Sequence, residues 1–465
     1  MLSHFSHRLT LVAAGLALVV LAPLQAISAS AAGPMRPSRG VAVQSPTVQY
    51  TLKTDTSNGM AFVGVGGDID GQTNPTLTAA PGDVVKITMV NGDGVTHDLA
   101  IDEFGVSTGE VSTKGAQASV TFTVNQDGEY IYYCSIPGHR LAGMWGKLEV
   151  GAPVTAAPDA VSIVRDPTDV PDPIGRRAPQ LVKVHLTAEE VEGLLADGTS
   201  YLYYTFDGKV PGPMLRARVG DTIELSLTNP SSSKMVHSID LHAVTGPGGG
   251  SALLQVQPGD TKTITFKTLL PGLFVYHCAT PSVAEHIANG MYGMILVEPA
   301  GGLPKVDKEF YVMQGDMYTN QPYGTKGMAE FDYQKMLDEQ PEYFVFNGAA
   351  GALATDEHAL RASVGDNIRI FFGVGGPNFT SSFHIIGEMF DKLYNYGSLE
   401  TPPMAGVQTT LVPPGGAAMV ELKLQVPGKY ILVDHALSRL ERGLVGYLYV
   451  EGPDAPDIYR QGPAE

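Results

Sequence analysis

Residues Lys262–Cys278 read KTITFKTLLPGLFVYHC. Apolar and polar side chains alternate up to Lys267, a Pro-Gly turn follows, and an aromatic-rich run ends on adjacent His277 and Cys278. Alternation with a turn between two such runs predicts a hairpin of half-buried strands. Two other stretches share the pattern: ASVTFTVNQDGEYIYYC at Ala118–Cys134 and MVELKLQVPGKYILVDH at Met419–His435. Each is preceded by a Gly-Asp turn feeding another alternating strand (PGDVVKITMVNGDG, VGDTIELSLTNPSS, VGDNIRIFFGVGGP) and followed by a glycine-rich apolar one (GMWGKLEV, GMYGMILVEP, GLVGYLYVEG). Short strands at regular spacing with frequent turn signals argue for β-sandwiches or barrels. The chain is therefore expected to be all-β, with three tandem copies of one Greek-key β-sandwich. Helical periodicity is expected only in LTAEEVEGLLADG, Leu186–Gly198.

Length agrees, since 465 residues at ~100–200 per domain suggest roughly three domains. The 54 glycines and 33 prolines lie below the ~25–30% that marks disorder. A net charge of −18 lacks the footprint of a nucleic-acid binder, so no nucleic-acid partner is expected; it suits attraction of a basic protein. The first residues read as an export signal: His4, His7 and Arg8, then an apolar run, then the small-residue site Ala29-Ser30-Ala31. The expected boundaries are a signal peptide at 1–32, a leader at 33–46, the first sandwich at 47–150, a linker at 151–178, the second sandwich at 179–300 and the third at 301–465. The expected location is periplasmic or otherwise extracytoplasmic, with no stable membrane insertion once the signal is cleaved; an uncleaved anchor is the alternative.

Aligned on the turn glycines Gly128, Gly272 and Gly428, the copies place Cys134, Cys278 and Asp434 six residues on. Met144, Met291 and Leu444 are preceded five residues earlier by His139, His286 and Arg439, and His97, His237 and His384 lie upstream. Two copies thus hold His, Cys, His and Met, and the third has lost the set. A thiolate, two imidazoles and a thioether match a blue-copper electron-transfer centre. The sets are His97, Cys134, His139, Met144 and His237, Cys278, His286, Met291. The competing account, a disulfide between Cys134 and Cys278, would have to join equivalent points of two repeats and leave the repeated His and Met companions to coincidence.

Successive side chains on a strand point to opposite faces. If Cys278 reaches the buried metal, His277 points elsewhere; His242, five after His237, has the opposite parity, and Asp240 shares its side. A second pole of His242, His277 and Asp240 is predicted, and two imidazoles without a thiolate suit a second copper. In the first copy Tyr133 and Asp102 stand at the corresponding places, so no second metal is expected there.

The first copy resembles single cupredoxins. The second and third, through HSIDLH, YHCATPSVAEHIANGMYGMILVEP, SFHIIGEMFDKLY and LVDHAL, resemble the two-domain copper nitrite reductases over roughly residues 180–460. The resemblance implies cupredoxin-like domains and reduction of nitrite to nitric oxide. It implies two type 1 coppers and one type 2 copper per chain, the last held by His242, His277 and His435, with His435 from the adjacent subunit of a homotrimer. It also implies Asp240 and His384 as catalytic proton donors and Ile386 shaping the nitrite pocket. The sequence does not name the external electron donor; a cytochrome c or small cupredoxin is the expected kind of partner. The first copy would add a blue-copper electron-transfer domain. Alternatives are an electron-carrying multicupredoxin without nitrite chemistry and a multicopper oxidase, whose three-copper cluster needs His-x-His pairs absent from this sequence. His185 and His358 read as ordinary surface or packing residues, and Asn378-Phe379-Thr380 fits the glycosylation pattern only formally.

Overall fold

A computed structural model describes residues 45–57, 60–140, 142–151 and 160–462. The expected signal peptide lies outside them. Among the described residues no helix is long and apolar enough to cross a membrane. The chain is almost wholly β, and its strands form six sheets that fall into three successive face-to-face pairs.

In the first pair, strands Ala61–Gly64, Val48–Asp55, Val84–Val90 and Gln117–Thr123 make one sheet. The other joins Leu77–Ala79, Trp145–Val150, Gly128–Tyr133, Ala100–Ile101 and Val106–Ser107. Alternate residues turn inward, so that Leu52, Ile87, Met89, Val120 and Phe122 meet Tyr132, Leu148 and Val150, with Cys134 and Met144 in the same core. Core burial of this kind contributes roughly 1.5–3 kcal/mol per large apolar side chain.

The second pair is organised by Leu181–Ala196, which pairs parallel with Thr222–Thr228 and then antiparallel with Thr199–Phe206. This strand contains the segment expected to be helical. Glu and Leu favour helix locally, but here each half has a ladder partner, and Leu186 and Ala188 bury against the facing sheet; tertiary pairing overrides a weak propensity. A bulge between Leu194 and Ala196 breaks the alternation that would have announced the strand. The described part of the expected linker is packed rather than free: Val161–Ser162 pairs with Gly193–Leu194, Ile163 is fully buried, and Arg165 Nε donates to Pro211 O at 2.7 Å.

The third pair has Lys308–Met317, Asn367–Val374 and Ala417–Lys423 on one side, and Ser381–Ile386, Gly428–Asp434 and Gly446–Glu451 on the other. A shared apolar layer, including Tyr203, Met294, Tyr311, Met313 and Phe371, joins it to the second pair. Beside that layer runs a buried ionic chain: Arg216 to Glu298 (2.6 Å) and Glu309 (2.6 Å), with Glu309 reaching Arg369 (2.6 Å), which also pairs with Glu421. The first pair meets the rest through partly exposed ion pairs, Arg140–Glu441 at 3.2 Å, Lys147–Asp197 at 2.9 Å and Lys326–Glu129 at 3.1 Å.

Candidate metal centres

Cys134 and Cys278 are free, buried thiols, so the disulfide alternative is gone. Each is the first residue past an inner strand, Gly128–Tyr133 or Gly272–His277. In each copy the chain then loops and returns so that the methionine bonds the cysteine: Cys134 N–H donates to Met144 O at 3.1 Å and Cys278 N–H to Met291 O at 3.0 Å. Met144 and Met291 are both fully buried.

In the first copy Cys134 Sγ lies 3.9 Å from His97 Nδ1 and 3.4 Å from His139 Nδ1, and the two ring nitrogens are 3.2 Å apart. In the second, His237, Cys278 and His286 likewise bring their ligand atoms within 4.8 Å of one another, with Cys278 Sγ 3.4 Å from His286 Nδ1. His286 rides on a short helix, Val283–Ala288, that fills the longer ligand loop. His237 Nδ1 is buried and has no hydrogen-bond partner. An unpaired buried ring nitrogen costs ~1–3 kcal/mol, and this one converges with Cys278 Sγ on a common point; a metal ion satisfies it. Both donor sets therefore fit copper.

Carboxylates that the sequence reading missed set the tautomers. Asp93 contacts His97 Nε2 at 3.2 Å, and Glu190 contacts His237 Nε2 at 3.0 Å. Each accepts the Nε2 proton and leaves Nδ1 as the ligand atom. Glu190 went unnoticed because its segment reads as helix; Asp93, four residues before His97, had the spacing but no repeat in the other copies. Burial pushes the Cys134 thiol up to about 11 and raises that of Cys278, while it brings His286 down to about 4, with His237 adding repulsion. Burial also lowers His97 and His237 despite their carboxylates. Neutral imidazoles are ready ligands, and each thiol gives up its proton when metal binds.

His277 faces away from Cys278. Its Nε2 lies 3.1 Å from His242 Nε2, and its Nδ1–H donates to Cys278 O at 2.9 Å. Asp240 sits directly opposite His277 across the strand ladder, and Asp240, His242 and His277 form a third group able to hold a metal. Burial lowers His242, with His277 adding repulsion. Gly249 packs against this group: a Cβ there would stand 1.7 Å from Asp240 Oδ1.

The corresponding positions of the first copy, Asp102 and Tyr133, satisfy each other instead, Tyr133 Oη donating to the Asp102 carboxylate at 2.8 Å. His435 is not in the Asp240 group. It is exposed on the third sandwich beside His384, ring centroids 5.5 Å apart, and His384 Nδ1–H donates to Gln408 O at 2.7 Å. Ile386, 41% exposed, ends the His384 strand. His358 lies 3.6 Å from Asp166, and neither it nor His185 joins a metal group among the described residues.

The comparisons with known proteins follow this division. The family described as copper binding proteins of the plastocyanin/azurin type matches residues 72–151, and the multicopper oxidase family matches 188–301. The copper-containing nitrite reductase of Neisseria meningitidis serogroup B is 51% identical over 294 residues, 63% of this chain and 75% of that protein. That of Alcaligenes faecalis is 33% identical over 340 residues, 68% of this chain and 89% of that protein. Among solved structures, the copper nitrite reductase of Nitrosomonas europaea is 34% identical and superposes with a TM-score of 0.53 over 60% of this chain and 96% of that one. A buried His-Cys-His group next to a solvent-facing Asp-His-His group, on cupredoxin-like sandwiches and at this level of identity, places the chain in the copper-containing nitrite reductase family.

Proposed function

We propose that the chain reduces nitrite by one electron to nitric oxide, nitrite, one electron and two protons giving nitric oxide and water. The observation that carries this reading is the junction at His277–Cys278. Adjacent residues serve the buried thiolate group and the outer histidine group, and His277 Nδ1–H also bonds Cys278 O at 2.9 Å. Electrons arriving at the buried centre thus have a short covalent and hydrogen-bonded route outward.

The outer pole holds type 2 copper through His242, His277 and the partner subunit's His435 in a homotrimer. Supporting this, the described residues of one chain bring together two of these histidines but not the third, and the pole is solvent-accessible, as an intersubunit site in a lone chain must be. When bound there, copper polarises nitrite and supplies the electron. Asp240, on the same side of the ladder as His242, is placed to donate to the nitrite oxygen that leaves as water. His384, its Nδ1–H donated to Gln408 O, passes the second proton through its other ring nitrogen. Ile386 limits the space beside it.

The two His-Cys-His-Met sets each hold a type 1 copper. The first copy carries electrons only, because Asp102 and Tyr133 occupy its outer pole. The external donor is a cytochrome c or small cupredoxin, which the charge of −18 suits if its face is basic. The signal at 1–32 directs the enzyme out of the cytoplasm.

The test is nitric oxide release from nitrite by copper-loaded protein with a reduced donor. Sustained release is expected, with Asp240→Asn keeping the visible colour and losing most turnover. Colour without nitric oxide favours the electron-carrier reading.

A further inference from the structure

The third copy carries Asp434 where the others have cysteine and Arg439 where they have the second histidine. In the fold these two residues meet: Arg439 Nη1 donates to Asp434 Oδ2 as an ion pair. The Asp434 side chain is fully buried, and the pair closes a loop of the same length as Cys134–His139. The backbone keeps the metal-loop pattern too. Leu444 N–H donates to Arg439 O at 3.1 Å, as Met144 does to His139 O at 3.0 Å and Met291 to His286 O at 3.2 Å. Charge attraction thus occupies the place of the copper bonds.

The pair is over-determined. Asp434 Oδ1 accepts from Ser382 N (3.1 Å) and Ala436 N (3.0 Å), and Oδ2 also accepts from Gln314 Nε2 (3.1 Å). Arg439 donates to Thr380 O at 2.8 Å, and its guanidinium lies 4.9 Å from the Phe344 ring and 5.0 Å from that of Phe379. Between the tethered residues 434 and 436 stands His435, whose own N–H donates to Ser382 O at 2.8 Å. Ser382 is two residues before His384 on the same strand. The Asp434 end of the ion pair thus bonds Ser382 and its Arg439 end bonds Thr380, so the pair fastens the His435 loop to the start of the His384 strand beside the backbone ladder that pairs Phe383 with Asp434.

We infer that Asp434 and Arg439 are positioning residues for the outer copper pole: a degenerate metal site in which an ion pair holds His435 and His384 in fixed relation for delivery to the partner subunit's pole. The inference rests on the reading of His435 as a ligand. Supporting groups of this kind are worth ~10–100-fold in metal affinity or activity.

The test compares full-length trimeric protein carrying Arg439→Met, Asp434→Asn, Arg439→Lys or His435→Ala. Copper affinity and the paramagnetic resonance splitting of the outer pole are read beside the blue absorption, with kcat and KM for nitrite. Arg439→Met is expected to lower outer-pole copper affinity ~10–100-fold and shift its splitting, with the blue absorption unchanged. Arg439→Lys, which keeps the charge, is expected to recover part of the loss. Wild-type affinity and splitting in Arg439→Met overturn the inference. Where Arg439→Met does not fold, Asp434→Asn, which keeps the shape, decides by the same criteria. His435→Ala separates the layers. If it retains the outer copper, the ligand reading itself fails. If it loses that copper while the ion-pair variants bind normally, only the positioning role fails.

Discussion

Replacing Glu190 with alanine tests how the buried centre of the second sandwich is built. Glu190 accepts from His237 Nε2 at 3.0 Å, the Ser233 hydroxyl at 2.9 Å, Met235 N–H at 3.1 Å and Lys234 N–H at 3.2 Å. Burial pushes its carboxyl up, but His237, Ser233 and Lys234 outweigh that and hold it below the usual glutamate range. Truncation strands the His237 Nε2–H, at ~1–3 kcal/mol for an unsatisfied buried donor, and frees the ring to turn. A support lost from a metal-ligating histidine costs ~10–100-fold in affinity, or ~1.4–2.7 kcal/mol, so the two routes agree near ~2 kcal/mol. The assay is copper competition against a chelator, followed at the blue absorption, in a Cys134→Ser background that silences the first centre. Glu190→Ala should weaken the remaining site ~10–100-fold and Glu190→Gln by less, since the amide oxygen still accepts. Unchanged affinity in Glu190→Ala would refute the claim that this carboxylate orients the ligand.

Other outcomes follow from the same geometry. Gly249→Ala should cut nitrite turnover by ~10²-fold with the blue absorption intact, because the new Cβ falls 1.7 Å from Asp240 Oδ1 and Gly249 has φ +53°; steady-state assays check it. Arg216→Ala should cost ~3–5 kcal/mol in denaturant unfolding, leaving the buried Glu298 carboxylate without its cation, held only by the Ile174 and Gly175 N–H groups. Asp316 is buried and raised from 3.8 to about 7 by desolvation, so the folded state keeps a proton that the unfolded chain has lost. Its contribution is complete below about pH 4 and disappears as pH rises through 7, at no more than ~1.4 kcal/mol per pH unit. Melting curves from pH 5 to 8 should therefore fall more steeply for wild type than for Asp316→Asn.

The sandwiches were legible because a half-buried strand must alternate, and the alternation recurs three times. The buried thiolate groups were legible because chemistry repeats them: Cys134 and Cys278 carry the same companions at related spacings. Strand parity alone separated His277 from Cys278. What escaped was set by partners distant in sequence. Leu186–Ala196 is made a strand by ladders to 199–206 and 222–228 and by a bulge, none of which shows in a local window. Misreading it hid Glu190, since only a strand carries that carboxylate to His237. The ion pair Asp434–Arg439 looked like simple loss of a metal site; that opposite charges replace the copper bonds appears only when the loop is seen closed.

The most direct measurement mixes nitrite with fully copper-loaded, pre-reduced protein and follows the blue absorption and nitric oxide together in a rapid-mixing experiment. Electrons stored at the thiolate centres should drain through His277, so that colour returns as nitric oxide appears, one molecule per electron, and His277→Ala should abolish both. Colour that stays bleached in nitrite, or returns without nitric oxide, would contradict the account.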